Sequence, residues 1–145
     1  MNSASQPAER KSLACLRLRR HADFVRAYAA ARKRQSSSMS WFLAPQPTDV
    51  VPRPVAPRVG LTVGKVIGKA HERNRIKRRM REALRRHIDL LPLGFDLILH
   101  PRRGVLTIEF AQLEAEILRI LQQATAEASR DVGRIAQHSP AEPAL

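Results

Sequence analysis

Apolar and polar positions separate most cleanly across residues 69–88. At about 100° per residue, Ile76, Met80, Ala83, Leu84, His87 and Ile88 fall on one side, while Asn74, Arg75, Arg78, Arg81, Glu82 and Arg85 collect opposite them. The spacing predicts one amphipathic helix whose apolar side packs, ending near Leu90 ahead of Pro92 and Gly94. Residues 39–44 alternate, with Met39, Trp41 and Leu43 on one side of a strand and Ser40 and Phe42 on the other; Trp41 is assigned to the core. Residues 58–65 alternate again, with Val59, Leu61 and Val63 inward and Gly60, Thr62 and Gly64 opposite, and read as an interior strand. The small residues leave that second face shallow, open to close approach by a backbone or a nucleic-acid strand. In residues 95–100, Leu97 and Leu99 alternate against Asp96, Ile98 and His100, a further strand.

Two more helices complete the pattern. One spans about residues 21–31, with Phe24 and Tyr28 at i,i+4 on one face, Asp23 in the first turn and Arg32, Lys33 and Arg34 in the last. Residues 35–38 follow as a loop. The other runs from about Thr107 to Ala128, with Phe110, Leu113, Ile117, Leu118, Ile120 and Leu121 at helical spacing, and is expected to pack on the sheet. Between the first two strands, five prolines within residues 45–57 exclude a continuous helix or a central strand and read as a long, mobile hairpin connection. Residues 1–13 and 129–145 carry few large apolar side chains and read as disordered tails around one domain, residues 14–128.

Composition fits that division, since 145 residues with 43% hydrophobic content can bury the core of one domain. Charge changes the picture more. A formal net charge of +13 implies long-range attraction to polyanions, with nucleic acid as the default partner and anionic lipid second. Apolar runs such as Leu97-Ile98-Leu99 are far too short to span a bilayer, so no membrane association is expected. The single Cys15 cannot form an internal disulfide, and the start of the chain lacks a hydrophobic signal core; both point to a cytoplasmic protein.

The basic helix has a bland explanation as the solvated face of a surface helix. Against it, Glu72 and Glu82 are the only acids between residues 58 and 88, whereas a solvated face normally mixes signs. Arginine, the majority cation here, has a planar fork of donors suited to paired phosphate contacts. A second arginine cluster stands at Arg17, Arg19 and Arg20, and Phe24, Tyr28 and Phe42 accompany the shallow sheet face. Aromatic rings beside a positive surface are how single-stranded nucleic acid is held, although each of these rings could equally be ordinary core. Catalytic signals are missing. The histidines show no metalloenzyme spacing, Gly60 to Lys65 is too short for a phosphate loop, and no serine sits in a nucleophile elbow. Three function classes follow: a ribonucleoprotein subunit, a general nucleic-acid binder that lays the helix in a groove, and a nuclease acting alone, for which the acids are too dispersed.

Arg58-Val59-Gly60-Leu61-Thr62-Val63, followed by Lys65, Gly68, Ala70 and Arg73-Asn74-Arg75-Ile76-Lys77-Arg78, resembles the protein component of bacterial ribonuclease P. The likeness extends over roughly residues 16–125 and leaves out the tails and the proline-rich insert. It implies an α+β fold, an α/β sandwich whose central mixed sheet of about four strands carries helices, with a left-handed crossover into the basic helix. It also implies the small subunit of a ribonucleoprotein that removes the 5′ leader from precursor tRNA, with the catalytic centre and its magnesium in the RNA. Carried over by position, Arg73, Asn74, Arg75, Lys77, Arg78 and Arg81 face that RNA. Phe24, Tyr28 and Phe42 line a leader-binding cleft that Thr62 and Lys65 complete. The expected partners are ribonuclease P RNA and precursor tRNA, with no obligatory protein partner.

Overall fold

Strands whose side chains alternate between two buried environments belong in the middle of a sheet, and Phe95–Pro101, buried at all but one of its positions, takes such a place. The computed structural model describes residues 13–47 and 56–137. Within them α1 is His21–Ala30, β1 Arg32–Gln35, β2 Met39–Pro45, β3 Arg58–Leu61, α2 Ala70–Arg86, β4 Phe95–Pro101 and α3 Phe110–Gln137. The sheet order is β1-β2-β4-β3. β2 is antiparallel to both β1 and β4, whereas β3 runs parallel to β4 and reaches it through α2. This is the mixed α+β sheet that the sequence implies.

The alternation sorts the side chains into two cores. Met39, Trp41, Leu43, Val59, Leu97 and Leu99 pack on one face with Ile76, Met80, Ala83 and Leu84 of α2 and Leu113, Ile117, Leu121 and Ala124 of α3. Trp41 is 1% exposed, as its assignment to the core requires. On the other face Ala44 and Ile98 meet Leu18 and Ala27, with Phe24, Tyr28 and Phe42 only partly covered. α1 thus covers that side, beside β2.

An ionic clamp fixes α1 there. Arg58 on β3 donates Nε and Nη2 to the two carboxylate oxygens of Asp96 at 2.8 and 2.9 Å, and Nη1 to Asp23 of α1 at 3.2 Å. Asp23 also accepts from Arg26 within the helix. Hydrogen bonding to Asp96 is the chief reason that the Arg58 guanidinium is held charged even more firmly than usual.

Five expectations change. Residues 32–35 form an edge strand rather than the end of α1. The turn that returns them to β2 is held from outside: Ser38 N–H donates to Glu116 of α3 at 2.7 Å, and Ser36 donates to the same carboxylate. Arg34 then pairs with Glu127 at 3.0 Å. The proline-rich stretch is no hairpin connection, because β4 lies between β2 and β3. Gln46 ties its two described ends together, donating Nε2 to Ala56 O and Phe95 O; residues 48–55 lie outside the described residues. β3 is an edge strand, not an interior one, bordered by the Leu18 N–H to Val59 O bond. The shallow face over Gly60 is filled by α1, since a Cβ there would stand 2.7 Å from two Phe24 ring atoms. Finally, α3 continues to Gln137, past Ala128. Helix formers such as Glu127, Ala128, Arg130 and Arg134 carry it on after the apolar pattern fades. The remaining tail residues, 1–12 and 138–145, lie outside the described residues.

Candidate nucleic-acid interface

α2 begins at a tight junction. Glu72 accepts the Lys69 backbone N–H at 2.9 Å and pairs with Arg103 at 2.8 Å, and these contacts, Arg103 first, hold its carboxyl down at about 2. From there the cations of the helix divide into two groups. Arg79 donates to the carbonyls of Val105, Leu106 and Ile108, anchoring the turn before α3. Arg85 and Arg86 pair with Glu82, and Arg86 reaches Glu114 and lies 4.9 Å over the Phe110 ring. Arg73 donates to Gly68 O at 2.8 Å. By contrast Asn74, Arg75, Lys77, Arg78 and Arg81 have no side-chain partner among the described residues. The acids of this helix therefore neutralise its ends and leave its middle positive.

These unpartnered groups border two grooves. Arg75 and Arg78 line a cleft of about 750 Å³ with His71, Leu106 and Phe110. Lys77 and Arg81 line a smaller one of about 80 Å³ with Arg17, Val59 and Gly60. The structure thus brings Arg17 of the N-terminal cluster to the basic helix.

On the opposite face of the sheet, rings gather. Tyr28 stands with its ring centre 6.3 Å from Phe24 and 5.1 Å, edge-on, from Phe42. His100 joins them, 5.1 Å from Phe42 and 5.6 Å from Tyr28. The Tyr28 hydroxyl lies 2.6 Å from His100 Nε2 and 3.4 Å from Thr62 Oγ1. Strand register sets Lys33 beside Phe42 on the same row. Of the residues expected in a cleft, Phe24, Tyr28, Phe42 and Thr62 come together; Lys65 stands exposed on the turn Lys65–Ile67, without a contact to the rings among the described residues.

His100 and Lys33 were not expected there. Alternation with Ile98 already placed His100 on this face, so its signal was present; Lys33 was hidden by its reading as a helix end. Burial, with Lys33 second, lowers the His100 imidazole below its ordinary 6.5. The unfolded chain therefore takes up that proton more readily than the folded one. Stability from this site is full above about 6.5 and falls as pH drops through the lower folded value. The check is a histidine NMR titration with thermal unfolding: the His100 ring resonance should titrate with its midpoint below 6.5, and the melting temperature should fall as the ring takes up its proton.

The sequence model of the family described as Ribonuclease P matches residues 14–125. The chain belongs to the ribonuclease P protein family. It is 39% identical over 109 residues to the ribonuclease P protein component of Chloroflexus aggregans, covering 74% of this chain and 76% of that one. With the component from a Synechococcus species it shares 32% over 128 residues, covering 88% and 95%. The solved ribonuclease P protein from Thermotoga maritima superposes with a TM-score of 0.63 at 26% identity, covering 74% of this chain and 96% of that one. A Staphylococcus aureus ribonuclease P protein gives 0.62 at 25%, covering 75% and 94%. The ribonuclease P match thus spans all four strands and most of α3, and leaves out residues 1–13 and 126–145. Among the described residues no helix is long and apolar enough to cross a membrane.

Proposed function

We propose that this ribonuclease P protein component works in the cytoplasm as the small subunit of a ribonucleoprotein that removes the 5′ leader from precursor tRNA, the RNA being the catalyst. The observation that carries the reading is the partition of cations on α2, where Arg75, Lys77, Arg78 and Arg81, with Asn74 beside them, lack protein partners among the described residues while Arg79, Arg85 and Arg86 are consumed internally. Unpartnered cations concentrated on one helix suit RNA phosphates, and Arg73 joins them at the helix start. On the other side of the sheet Phe24, Tyr28 and Phe42 offer ring faces to the bases of a single-stranded leader, with Thr62 beside Tyr28 in the cleft. Binding leader favours precursor over mature tRNA, and screening of phosphates lowers the demand for magnesium.

This reading assigns magnesium to the RNA. Among the described residues no three His, Cys, Asp or Glu side chains stand together to hold a metal ion. Magnesium bound by the RNA would supply Lewis-acid chemistry for hydrolysis of the scissile phosphate. No second protein is required.

The test is precursor cleavage at low magnesium with protein alone, cognate RNA alone and both. Efficient cleavage is expected only with both; cleavage by the protein alone would overturn the reading. In the same holoenzyme, Phe24→Ala with Tyr28→Ala should weaken precursor binding about tenfold or more, at about 1–3 kcal/mol per stacked base, while mature tRNA binds as before. Equal loss for both RNAs would remove the cleft from the mechanism.

A further inference from the structure

β1 and β2 form a hairpin, and its register shows which backbone groups β1 turns outward. Ser36 N–H donates to Met39 O at 2.8 Å, closing the turn over Ser37 and Ser38. In an antiparallel pair, residues that bond across the ladder alternate with residues whose N–H and C=O point away from it. Arg34 and Arg32 therefore bond inward, to Trp41 and Leu43, while the N–H and C=O of Lys33 and Gln35 point outward. Among the described residues no strand lies beyond β1, and these outward groups have no partner.

The side chains around them are mostly cationic. On the α3 face Arg32, Arg34 and Arg130 stand against Glu127 and Asp131, and Glu127 is spent on Arg34 at 3.0 Å. On the α1 face Lys33 lies across from Phe42 with no carboxylate partner among the described residues, and Arg102 reaches Gln35 Oε1 at 3.2 Å. Unmet backbone groups and surplus positive charge thus coincide on one edge.

We propose that the outer side of β1 is a docking site for an extended acidic segment of another protein, which adds to the sheet as a further strand. The outward N–H and C=O groups of Lys33 and Gln35 supply the backbone hydrogen bonds, and the side chains choose the partner. Because consecutive residues of a strand face opposite ways, two adjacent acids in the segment meet Arg32 on one face and Lys33 on the other. Across from Arg34 an uncharged residue suffices, since Glu127 already answers that guanidinium. RNA fits this edge less well. Its phosphates accept hydrogen bonds but donate none, so the carbonyls of Lys33 and Gln35 would be left unmet. The inference goes beyond the RNA-binding reading and uses neither the free cations of α2 nor the ring cluster.

Its test titrates the full chain with a short peptide of threonine and valine that carries two adjacent glutamates, following backbone amide resonances and peptide anisotropy. The Lys33 and Gln35 amides are expected to shift most and to exchange more slowly with solvent. The same peptide with N-methylated amides keeps its charge but cannot pair, and should bind about fivefold or more weaker, the worth of one or two hydrogen bonds. Arg32→Glu with Lys33→Glu should reverse the preference, favouring a peptide with lysines in place of the glutamates. The N-methylated peptide needs no variant, so it decides the matter if the charge-reversed protein does not fold. Equal binding of the methylated and unmethylated peptides would reduce the effect to bare charge attraction and overturn the proposal. So would Lys33 and Gln35 amides that stay unmoved, or a charge-reversed variant that still prefers glutamate. A single-stranded RNA oligomer of equal charge that shifted those two amides where the peptide did not would assign the edge to RNA instead.

Discussion

Replacing Arg75, Lys77, Arg78 and Arg81 together by alanine is expected to lower affinity for ribonuclease P RNA by about a hundredfold or more at physiological salt. Each side chain that meets a phosphate contributes a charge-assisted hydrogen bond worth roughly 1.5–3 kcal/mol before ordering costs, so four of them exceed that loss even when half is forfeited. A second signature separates lost phosphate contacts from lost structure. The slope of log affinity against log salt should become shallower by about three, at roughly 0.7–0.9 per phosphate released. Stability should hardly move, because none of the four has a protein partner among the described residues. Weakened binding with an unchanged salt slope would show that these side chains do not lie against phosphate. The triple variant of Arg79, Arg85 and Arg86 serves as the contrast, since those guanidiniums are spent on carbonyls and carboxylates of the protein itself.

Arg58→Met is expected to destabilise the fold by about 3–5 kcal/mol, read as a shift in urea unfolding. The Asp96 side chain is 3% exposed and loses both of its guanidinium hydrogen bonds, leaving a buried carboxylate without a counter-charge. Arg58→Met with Asp96→Leu removes the stranded charge as well and should recover much of the loss, because an isosteric apolar pair is often as stable as the buried ion pair it replaces. If the single variant cost less than about 1 kcal/mol, the clamp would be behaving like a surface ion pair. Leader binding should suffer with stability, since Asp23, the third member, sits one residue before Phe24 in α1.

The Arg58 clamp also shows what the sequence could and could not convey. Alternation made the strand faces legible, and helical spacing correctly picked out Ile76, Met80, Ala83 and Leu84 as the packed side of α2. Those patterns are local, and burial enforces them residue by residue. β1 was not legible, because four consecutive polar residues give no apolar signal and the turn that folds them back is held by Glu116, about 80 residues away in sequence. The central place of β4 was equally hidden, since strand order is decided by pairing between distant segments. Within the candidate site, the resemblance put the α2 cations and the rings of Phe24, Tyr28 and Phe42 in two separate groups, but only the tertiary structure distinguishes the spent arginines of α2 from the unspent ones. The imidazole in the ring cluster lay on the right face of its strand, yet its hydrogen bond to Tyr28 spans 72 residues and no periodicity could announce it.

The borders of the sheet carry a last consequence. A strand with a free side exposes a row of backbone donors and acceptors that invites another copy to add on, the first step toward fibrils. On β3 that row is already taken in part by Arg17 and Leu18. β1 relies on repulsion instead: Arg32, Lys33 and Arg34 fill three of its four positions, and a second copy would have to bring its own three cations against them. The positive charge that attracts an acidic partner thereby also keeps the unassembled protein from joining strand to strand with itself.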